Sequence, residues 1–275
     1  MPSKERLALA VLYFSTGGDH WKSKYGWLSA AHHGNWFGVT IASSTNYVSI
    51  LSLHDNKLSE SLPTQIGHFT SLTSLDLYHN HLSGTIPTQI GQFTSLNRLI
   101  LHTNAFDGII PEQIGHLTSL TSLELYSNDL SGTIPSQLGQ LTSLNTTLYL
   151  YHNKLNGHIP TEIGQLKSLA FLDLSYNTLS GTIPAQILQL LTSSLIGLHL
   201  DNNKLTGPIP NDIVSKLMEQ TLVNVIGECA IYQSCQSTTM YSASTWFIDV
   251  NNHPDDISMD EEVWEVRMSQ VFISS

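Results

Sequence analysis

Residues 72–95 read LTSLDLYHNHLSGTIPTQIGQFTS, and this stretch decides the fold because the chain repeats it. Equivalent units begin at Val48, Leu72, Leu96, Leu120, Leu144, Leu169 and Leu195. The steps between them are 24 to 26 residues, and the two longer steps carry small insertions near Thr146 and within 191–194. Seven copies in register predict a solenoid, in which each coil packs only on its neighbours.

Each position of the unit has a physical role. Leu75 and Leu77 alternate with Asp76 and Tyr78, and this period of two predicts a short strand with leucines inward and polar side chains outward. An asparagine follows in every unit, at Asn56, Asn80, Asn104, Asn128, Asn153, Asn177 and Asn203. We expect this amide to satisfy backbone groups of adjacent coils, since leaving them unpaired costs about 1–3 kcal/mol each.

Glycine and proline mark the two bends of the unit. The glycines that permit a tight bend are Gly84, Gly108, Gly132, Gly157, Gly181 and Gly207. The first unit has Glu60 at that place, so an irregular first coil is expected. Seven of the ten prolines form one column that precedes a short helical turn: Pro63, Pro87, Pro111, Pro135, Pro160, Pro184 and Pro210.

The unit LxxLxLxxNxLxGxIPxxIGxLxx resembles the plant-type leucine-rich repeat over about residues 48–218. The resemblance implies an α/β solenoid, a right-handed superhelix with a parallel β-sheet on the concave side. Short 3-10 or helical turns are then expected on the convex side. The Leu-x-Gly-x-Ile-Pro segment is expected to add a second short sheet.

The N-terminal block resembles the caps of diatom and other algal leucine-rich-repeat proteins. The matching segments are FSTGGDHW (14–21), GWL (26–28) and NWFGVT (35–40). Such caps usually carry one cysteine before the Trp and another after Val-Thr, whereas this chain has Gly34 and Ile41 there. The missing disulfide and the absence of a signal-peptide pattern favour an intracellular setting, and the family resemblance favours an extracellular one.

The ends of the solenoid need covers. We predict an N-terminal cap over residues 1–47, with Trp21, Trp27, Trp36 and Phe37 plugging the first coil, seven repeats over 48–218 and a C-terminal cap over 219–248. Residues 1–14 are expected to form an amphipathic cap helix. Cys229 and Cys235 form one local bridge or stay reduced.

Residues 249–275 form an acidic-apolar tail. Its residues Trp264, Met268, Val271 and Phe272 have helical spacing. Three alternatives are open: the tail folds back on the solenoid, docks a partner, or is disordered.

Charge and composition exclude several classes of function. The net charge is −11, from 22 acids and 11 bases, so no basic surface is available for nucleic acid. No apolar run approaches the ~18 residues of a membrane span. The sequence also lacks a nucleophile elbow, a phosphate-binding loop and an HExxH motif, so we expect no enzymatic activity and no cofactor.

The outward columns of the concave sheet carry the candidate site. One column reads His54, Tyr78, His102, Tyr126, Tyr151, Ser175 and Asp201. Its neighbour reads Asp55, His79, Thr103, Ser127, His152, Tyr176 and Asn202. Between the inward leucines stand Ser52, Asp76, Ile100, Glu124, Tyr149, Asp173 and His199. Adjacent coils lie about 4.8 Å apart, so column neighbours touch.

We predict that this strip binds a protein, peptide or glycan, because tyrosine offers contact area and a hydroxyl at low entropic cost. The predicted ligand-binding residues are His54, Asp76, Tyr78, His79, His102, Glu124, Tyr126, Tyr149, Tyr151, His152, Asp173, Tyr176 and Asp201.

Three other hypotheses compete with this one. The first is a structural or assembly subunit docked through the tail. The second is a metal site, because His54, His79 and His102 could converge. The third is ice binding by regular threonine rows, either Thr70, Thr94, Thr118 and Thr142 or Thr85, Thr133 and Thr182.

Overall fold

A computed structural model describes residues 3–191 and 193–207. The predicted C-terminal cap, the acidic-apolar tail, Cys229 and Cys235 lie outside the described residues. The helices are α1 (Ser3–Ser15) and α2 (Leu188–Leu191). The strands are β1 (Val39–Ile41), β2 (Val48–Ser52), β3 (Ser59–Ser61), β4 (Ser74–Asp76), β5 (His81–Thr85), β6 (Arg98–Ile100), β7 (Ala105–Asp107), β8 (Ser122–Glu124), β9 (Ser131–Thr133), β10 (Thr147–Tyr149), β11 (Lys154–Gly157), β12 (Phe171–Asp173), β13 (Thr178–Gly181), β14 (Gly197–His199) and β15 (Lys204–Leu205). The 3-10 turns cover Gly18–His20, His33–Asn35, Thr64–His68, Thr88–Gln92, Glu112–His116, Ser136–Gln140, Thr161–Gln165 and Ala185–Ile187.

The concave sheet has eight strands in the order β1-β2-β4-β6-β8-β10-β12-β14. Strand β1 pairs antiparallel with β2, and every later pair is parallel. The register joins equivalent leucines of successive coils, for example Leu51 with Leu75 and Leu75 with Leu99. The 3-10 turns follow the proline column on the opposite side. The predicted solenoid is confirmed.

The Leu-x-Gly-x-Ile-Pro segments form the expected second sheet, in two pieces ordered β3-β5-β7 and β15-β13-β11-β9. Each repeat glycine has a left-handed backbone, with φ of 70° at Gly84. Glu60 takes the same conformation, with φ of 62°, and β3 still pairs with β5 in the register of the later coils. At Glu60 the first coil is therefore regular, because the neighbouring coil imposes the bend on a residue that disfavours it. The expected irregularity lies at Lys57, whose φ of 59° has no counterpart in the later described coils.

One continuous core of Leu, Ile and Phe side chains runs through the solenoid. The asparagine column closes one side of it. In Asn80, Oδ1 accepts hydrogen bonds from the amides of Asn56 and Leu58 at 3.0 and 2.9 Å, and Nδ2 donates to the Leu53 and Leu77 carbonyls at 3.0 and 2.9 Å. The predicted role of this column in satisfying backbone groups is confirmed.

The first coil is covered by α1 and three buried tryptophans, Trp21, Trp27 and Trp36, whose rings contact one another. Glu5 is also buried, and its Oε2 accepts a hydrogen bond from the Val48 amide at 3.1 Å. Phe37 departs from the expected plug, because its side chain is 41% exposed. In the described part of the chain, no helix has the length and apolarity needed to cross a membrane.

Candidate functional site

Three columns of side chains form the concave face: two of the three that the sequence analysis identified, and one that it missed. Alternation along β2 turns Ile50, Ser52 and His54 to the same face, opposite the buried Leu51 and Leu53. The additional column reads Ile50, Ser74, Arg98, Ser122, Thr147, Phe171 and Gly197. The same period of two, applied two residues earlier in each unit, would have found it.

Five rings of one column stack face to face across five coils. We call His54, Tyr78, His102, Tyr126 and Tyr151 the aromatic ladder. Successive ring centroids lie 4.8, 4.8, 4.1 and 4.3 Å apart, and the interplanar angles are 5° to 17°. Tyr78, His102, Tyr126 and Tyr151 are half-buried, while His54 at the first coil is exposed. Beyond Tyr151 the column continues with Ser175 and Asp201, so the ladder ends there.

Tyr149 borders the ladder from the next column. Its ring lies edge-on to Tyr126 and Tyr151, at centroid distances of 6.2 and 5.9 Å. Burial raises the pKa of both Tyr126 and Tyr149 to about 12, and it raises the pKa of Tyr151 further. These phenols therefore keep their protons at neutral pH and can donate hydrogen bonds.

The column Asp55, His79, Thr103, Ser127, His152, Tyr176 and Asn202 lies in the turn after the strands. Every one of these residues has a positive φ, between 46° and 54°. His152 stacks on Tyr176 at 4.2 Å, and its ring meets Tyr151 of the ladder edge-on at 5.6 Å. Asp55 contacts Lys22 of the cap at 2.6 Å and His79 at 3.4 Å. Alternation could not reveal this backbone conformation, which recurs only because adjacent turns stack.

The predicted carboxylates occupy distinct surroundings. Burial raises the pKa of Asp76 and of Asp173. Asp173 accepts hydrogen bonds from the Ser175 amide and hydroxyl, at 2.9 and 2.6 Å. Asp201 accepts a hydrogen bond from Asn202 at the far end of the face.

Glu124 lies beside the middle of the ladder. Its Oε1 accepts hydrogen bonds from the hydroxyls of Ser122 and Thr147, at 2.8 and 3.4 Å. Its Oε2 lies 4.0 Å from His102 Nε2. Desolvation lowers the pKa of His102 to about 4, so this imidazole is neutral at neutral pH.

The three histidines considered for a metal site do not converge. The Tyr78 ring lies between His54 and His102, stacked 4.8 Å from each. His79 belongs to the turn column and contacts Asp55. Among residues 3–191 and 193–207, no group of three or more His, Cys, Asp and Glu side chains could hold a metal ion.

Comparison with protein families identifies the repeat. A leucine-rich repeat region model matches residues 47–156, and a leucine-rich repeat model matches residues 168–190 and 194–215. Together these ranges cover more than half of the chain. The chain is a leucine-rich repeat protein. No curated protein gave a significant match.

Three solved structures share the solenoid. A plant ice-binding protein is 29% identical with a TM-score of 0.68, and the match covers 75% of this chain and 65% of that chain. The PEPR1–AtPEP1 structure is 35% identical with a TM-score of 0.69, covering 80% of this chain and 30% of that chain. The ectodomain of the plant membrane receptor kinase GASSHO1/SCHENGEN3 from Arabidopsis thaliana, in complex with CASPARIAN STRIP INTEGRITY FACTOR 2, is 33% identical with a TM-score of 0.63, covering 78% and 28%. This chain therefore spans less than two thirds of the length of each.

Proposed function

We propose that the concave face binds an extended peptide segment, free or within a partner protein, along the aromatic ladder. The single observation that carries this proposal is the stack of five rings across adjacent coils. The stack holds its rings in place before any ligand arrives, so little side-chain entropy remains to be lost on binding. No catalytic step is part of the proposal.

The ring geometry favours a peptide over a glycan. Tyr78, His102 and Tyr126 each have a neighbouring ring on both faces. A sugar ring packs its apolar side on an aromatic face, and those faces are already covered. The polar groups of the ladder, phenol hydroxyls and imidazole nitrogens, lie at the ring edges. A row of such groups suits the carbonyl and amide groups of a peptide backbone.

The comparisons support ligand binding by a solenoid of this kind. GASSHO1/SCHENGEN3 was solved in complex with a factor, and PEPR1 was solved with AtPEP1. Both share the solenoid of this chain over most of its length. The peptide ligand of this chain and the algal type of its cap stay predictions.

Docking through the acidic-apolar tail is the alternative from another class. Residues 249–265 of the tail contain seven acids and no Lys or Arg. The concave face is itself acidic, so like charges disfavour binding of the tail there. The two hypotheses therefore concern different surfaces, and one experiment separates them.

That experiment compares three variants of the immobilised chain in capture of a displayed random-peptide library. The first replaces Tyr78, Tyr126 and Tyr151 with Ala, the second deletes 249–275, and the control replaces Thr85, Thr133 and Thr182 with Ala. Buried tyrosine anchors contribute about 2 kcal/mol each, so the tyrosine variant should lose capture at least a hundredfold. The control should bind as the unmodified chain does. Thermal unfolding of each variant checks that it is folded.

The opposite pattern overturns the proposal. If the deletion abolishes capture while the folded tyrosine variant still binds, the tail is the docking element. If the tyrosine variant and the threonine control lose capture equally, the ladder is not the binding surface.

Ice binding is a second candidate, favoured by the similarity to a plant ice-binding protein. Thr70, Thr94, Thr118 and Thr142 are exposed in four successive coils, and their hydroxyls make no hydrogen bond to the described residues. The row of Thr85, Thr133 and Thr182 is less regular, because Ile109 and His158 interrupt it. Thermal hysteresis of the purified chain tests the idea. Equal hysteresis after changing the four threonines of the first row to Val excludes that row, and no hysteresis excludes the function.

A further inference from the structure

The concave face carries an excess of acidic side chains. Its three columns hold four carboxylates: Asp76, Glu124, Asp173 and Asp201. Arg98 is the one Lys or Arg in these columns over the described coils. A ligand that lies along the face therefore gains from positive charge.

The three carboxylates of the face other than Glu124 have different surroundings. Asp76 is influenced by the positive charge of Arg98 and by His54. Asp173 is held by the two hydrogen bonds from Ser175. Asp201 accepts from the Asn202 amide.

Glu124, like Asp173, has one oxygen held by two hydrogen bonds, and its nearest basic group is the neutral imidazole of His102. The hydroxyls of Ser122 and Thr147 fix Oε1. His102, at 4.0 Å, is half-buried and lacks a proton to neutralise Oε2 at neutral pH. The Glu124 side chain keeps 19% of its surface exposed, so a ligand can reach it.

Aromatic and apolar side chains surround this carboxylate. Along the column, Glu124 lies between Ile100 and Tyr149, to which it is directly paired across the sheet. Tyr126 follows two residues later on the same face, and its ring meets that of Tyr149 edge-on. A carboxylate beside tyrosine rings suits a guanidinium or ammonium group, because the head group can form an ion pair with the carboxylate while its apolar stem packs against the ring edges.

We infer that Glu124 is the subsite for an arginine or lysine side chain of the bound peptide, with Tyr126 and Tyr149 as its walls. This inference rests on the proposed function, since it places a specificity-determining residue within the same face. The cationic head group pairs with Oε2, the oxygen that the hydroxyls of Ser122 and Thr147 leave available. Peptides with a cationic residue at the matching position should therefore bind more tightly than neutral ones.

The test uses the full chain, the variant Glu124→Gln and the control Asp107→Asn. Glutamine keeps the size and the acceptor for Ser122, so the fold should survive. Asp107 is an exposed carboxylate of β7 in the second sheet, and its loss changes the net charge by the same amount. The probes are N-acetylarginine amide, N-acetyllysine amide and N-acetylcitrulline amide at millimolar concentration, followed by NMR. Peptides selected from the displayed library are sequenced in parallel.

We expect the two cationic amides to bind and citrulline to fail, with binding at least tenfold weaker in Glu124→Gln and unchanged in Asp107→Asn. Selected peptides should be enriched in Arg or Lys on the unmodified chain and not on Glu124→Gln. Equal binding to both variants would refute the subsite, as would an equal loss in both, because that outcome indicates a general effect of charge. If peptides bind in a ladder-dependent manner without cationic enrichment, the inference is wrong and the proposed function stands. If no peptide is captured, both are wrong.

Discussion

Replacing Asn80 with Ala should destabilise the solenoid more than the same substitution at another asparagine of the column. Asn80 is 5% exposed. Its Oδ1 is the acceptor for two backbone amides, those of Asn56 and Leu58. Alanine therefore leaves two donors unpaired in the interior.

The backbone carbonyls that accept hydrogen bonds from Asn80 are affected unequally by its replacement. The Leu77 carbonyl keeps a hydrogen bond from Asn104 Nδ2, and the Tyr78 carbonyl keeps one from the Asp55 amide. The Leu53 carbonyl loses the bond that Asn80 donates. Three buried backbone groups are thus affected, and at about 1–3 kcal/mol each the cost is about 3–6 kcal/mol, allowing for partial relaxation.

Asn104 provides a matched control one coil further along. Its Oδ1 accepts from a single described amide, that of Leu82 at 3.0 Å. The carbonyls that accept from Asn104 each keep another donor, so Asn104→Ala leaves one group unpaired and should cost about 1–3 kcal/mol. The order of the two variants, with Asn80→Ala the weaker protein, follows from counting unpaired groups and needs no absolute scale.

Urea unfolding followed by circular dichroism gives the free energies, and amide hydrogen exchange localises them. In Asn80→Ala the amides of Asn56 and Leu58 should exchange much faster, while those in distant coils change less, because each coil contacts only its neighbours. A loss below 1 kcal/mol with an unchanged urea slope, or Asn104→Ala proving the weaker of the two, would contradict this account.

Three further predictions concern the first coil, the cap and the ladder. Glu60→Gly should stabilise the chain by about 1 kcal/mol in thermal unfolding, because Glu60 has φ of 62°, which is strained for a residue other than glycine. The control Ser61→Gly, at a position without positive φ, should bring no gain. Equal effects of the two substitutions would refute the backbone strain at Glu60. The double substitution Gly34→Cys and Ile41→Cys should form a disulfide, since a Cβ at Gly34 would lie 3.0 Å from Ile41 Cγ1. This disulfide should add about 2 kcal/mol to the free energy of unfolding under oxidising conditions and nothing when reduced. Failure to form the bond would show that the two sites do not face each other. His102 stays neutral to about pH 4 when folded but binds a proton near 6.5 when unfolded, so it should make stability fall as pH drops from 6.5 to 4 by at most about 1.4 kcal/mol per pH unit. His102→Gln should reduce this dependence of stability on pH, measured by urea titration at each pH. The raised pKa of Asp76 and Asp173 acts in the opposite direction but is common to both proteins. An unchanged dependence would refute the burial of His102.

Much of the fold could be predicted because its rules are local. The leucine, asparagine and proline columns recur at fixed spacing, and the inward position of Leu75 and Leu77 follows from alternation. Glu60 was misjudged because its own preference was weighed without the neighbouring coil. Phe37 was misjudged because aromatic character alone does not tell which side of a cap strand a residue occupies.

The sequence predicted residues of the candidate site but not how their side chains are arranged. The sequence indicated that Tyr78, His102 and Tyr126 share a column. It gave no sign that their rings stack, because ring orientation depends on side-chain rotamers across coils 24 residues apart. The column containing Ser122 and Thr147 was missed, although alternation implied it.

The sequence by itself determined a leucine-rich repeat solenoid and two of the three columns of side chains on its inner curve. Periodicity is sufficient for that, because every coil buries the same apolar positions. Only the tertiary structure decided that the ladder covers its own ring faces, that His102 is neutral and that Glu124 lacks a charged partner. Those properties arise from distances and desolvation between side chains of different coils, and a linear pattern contains neither.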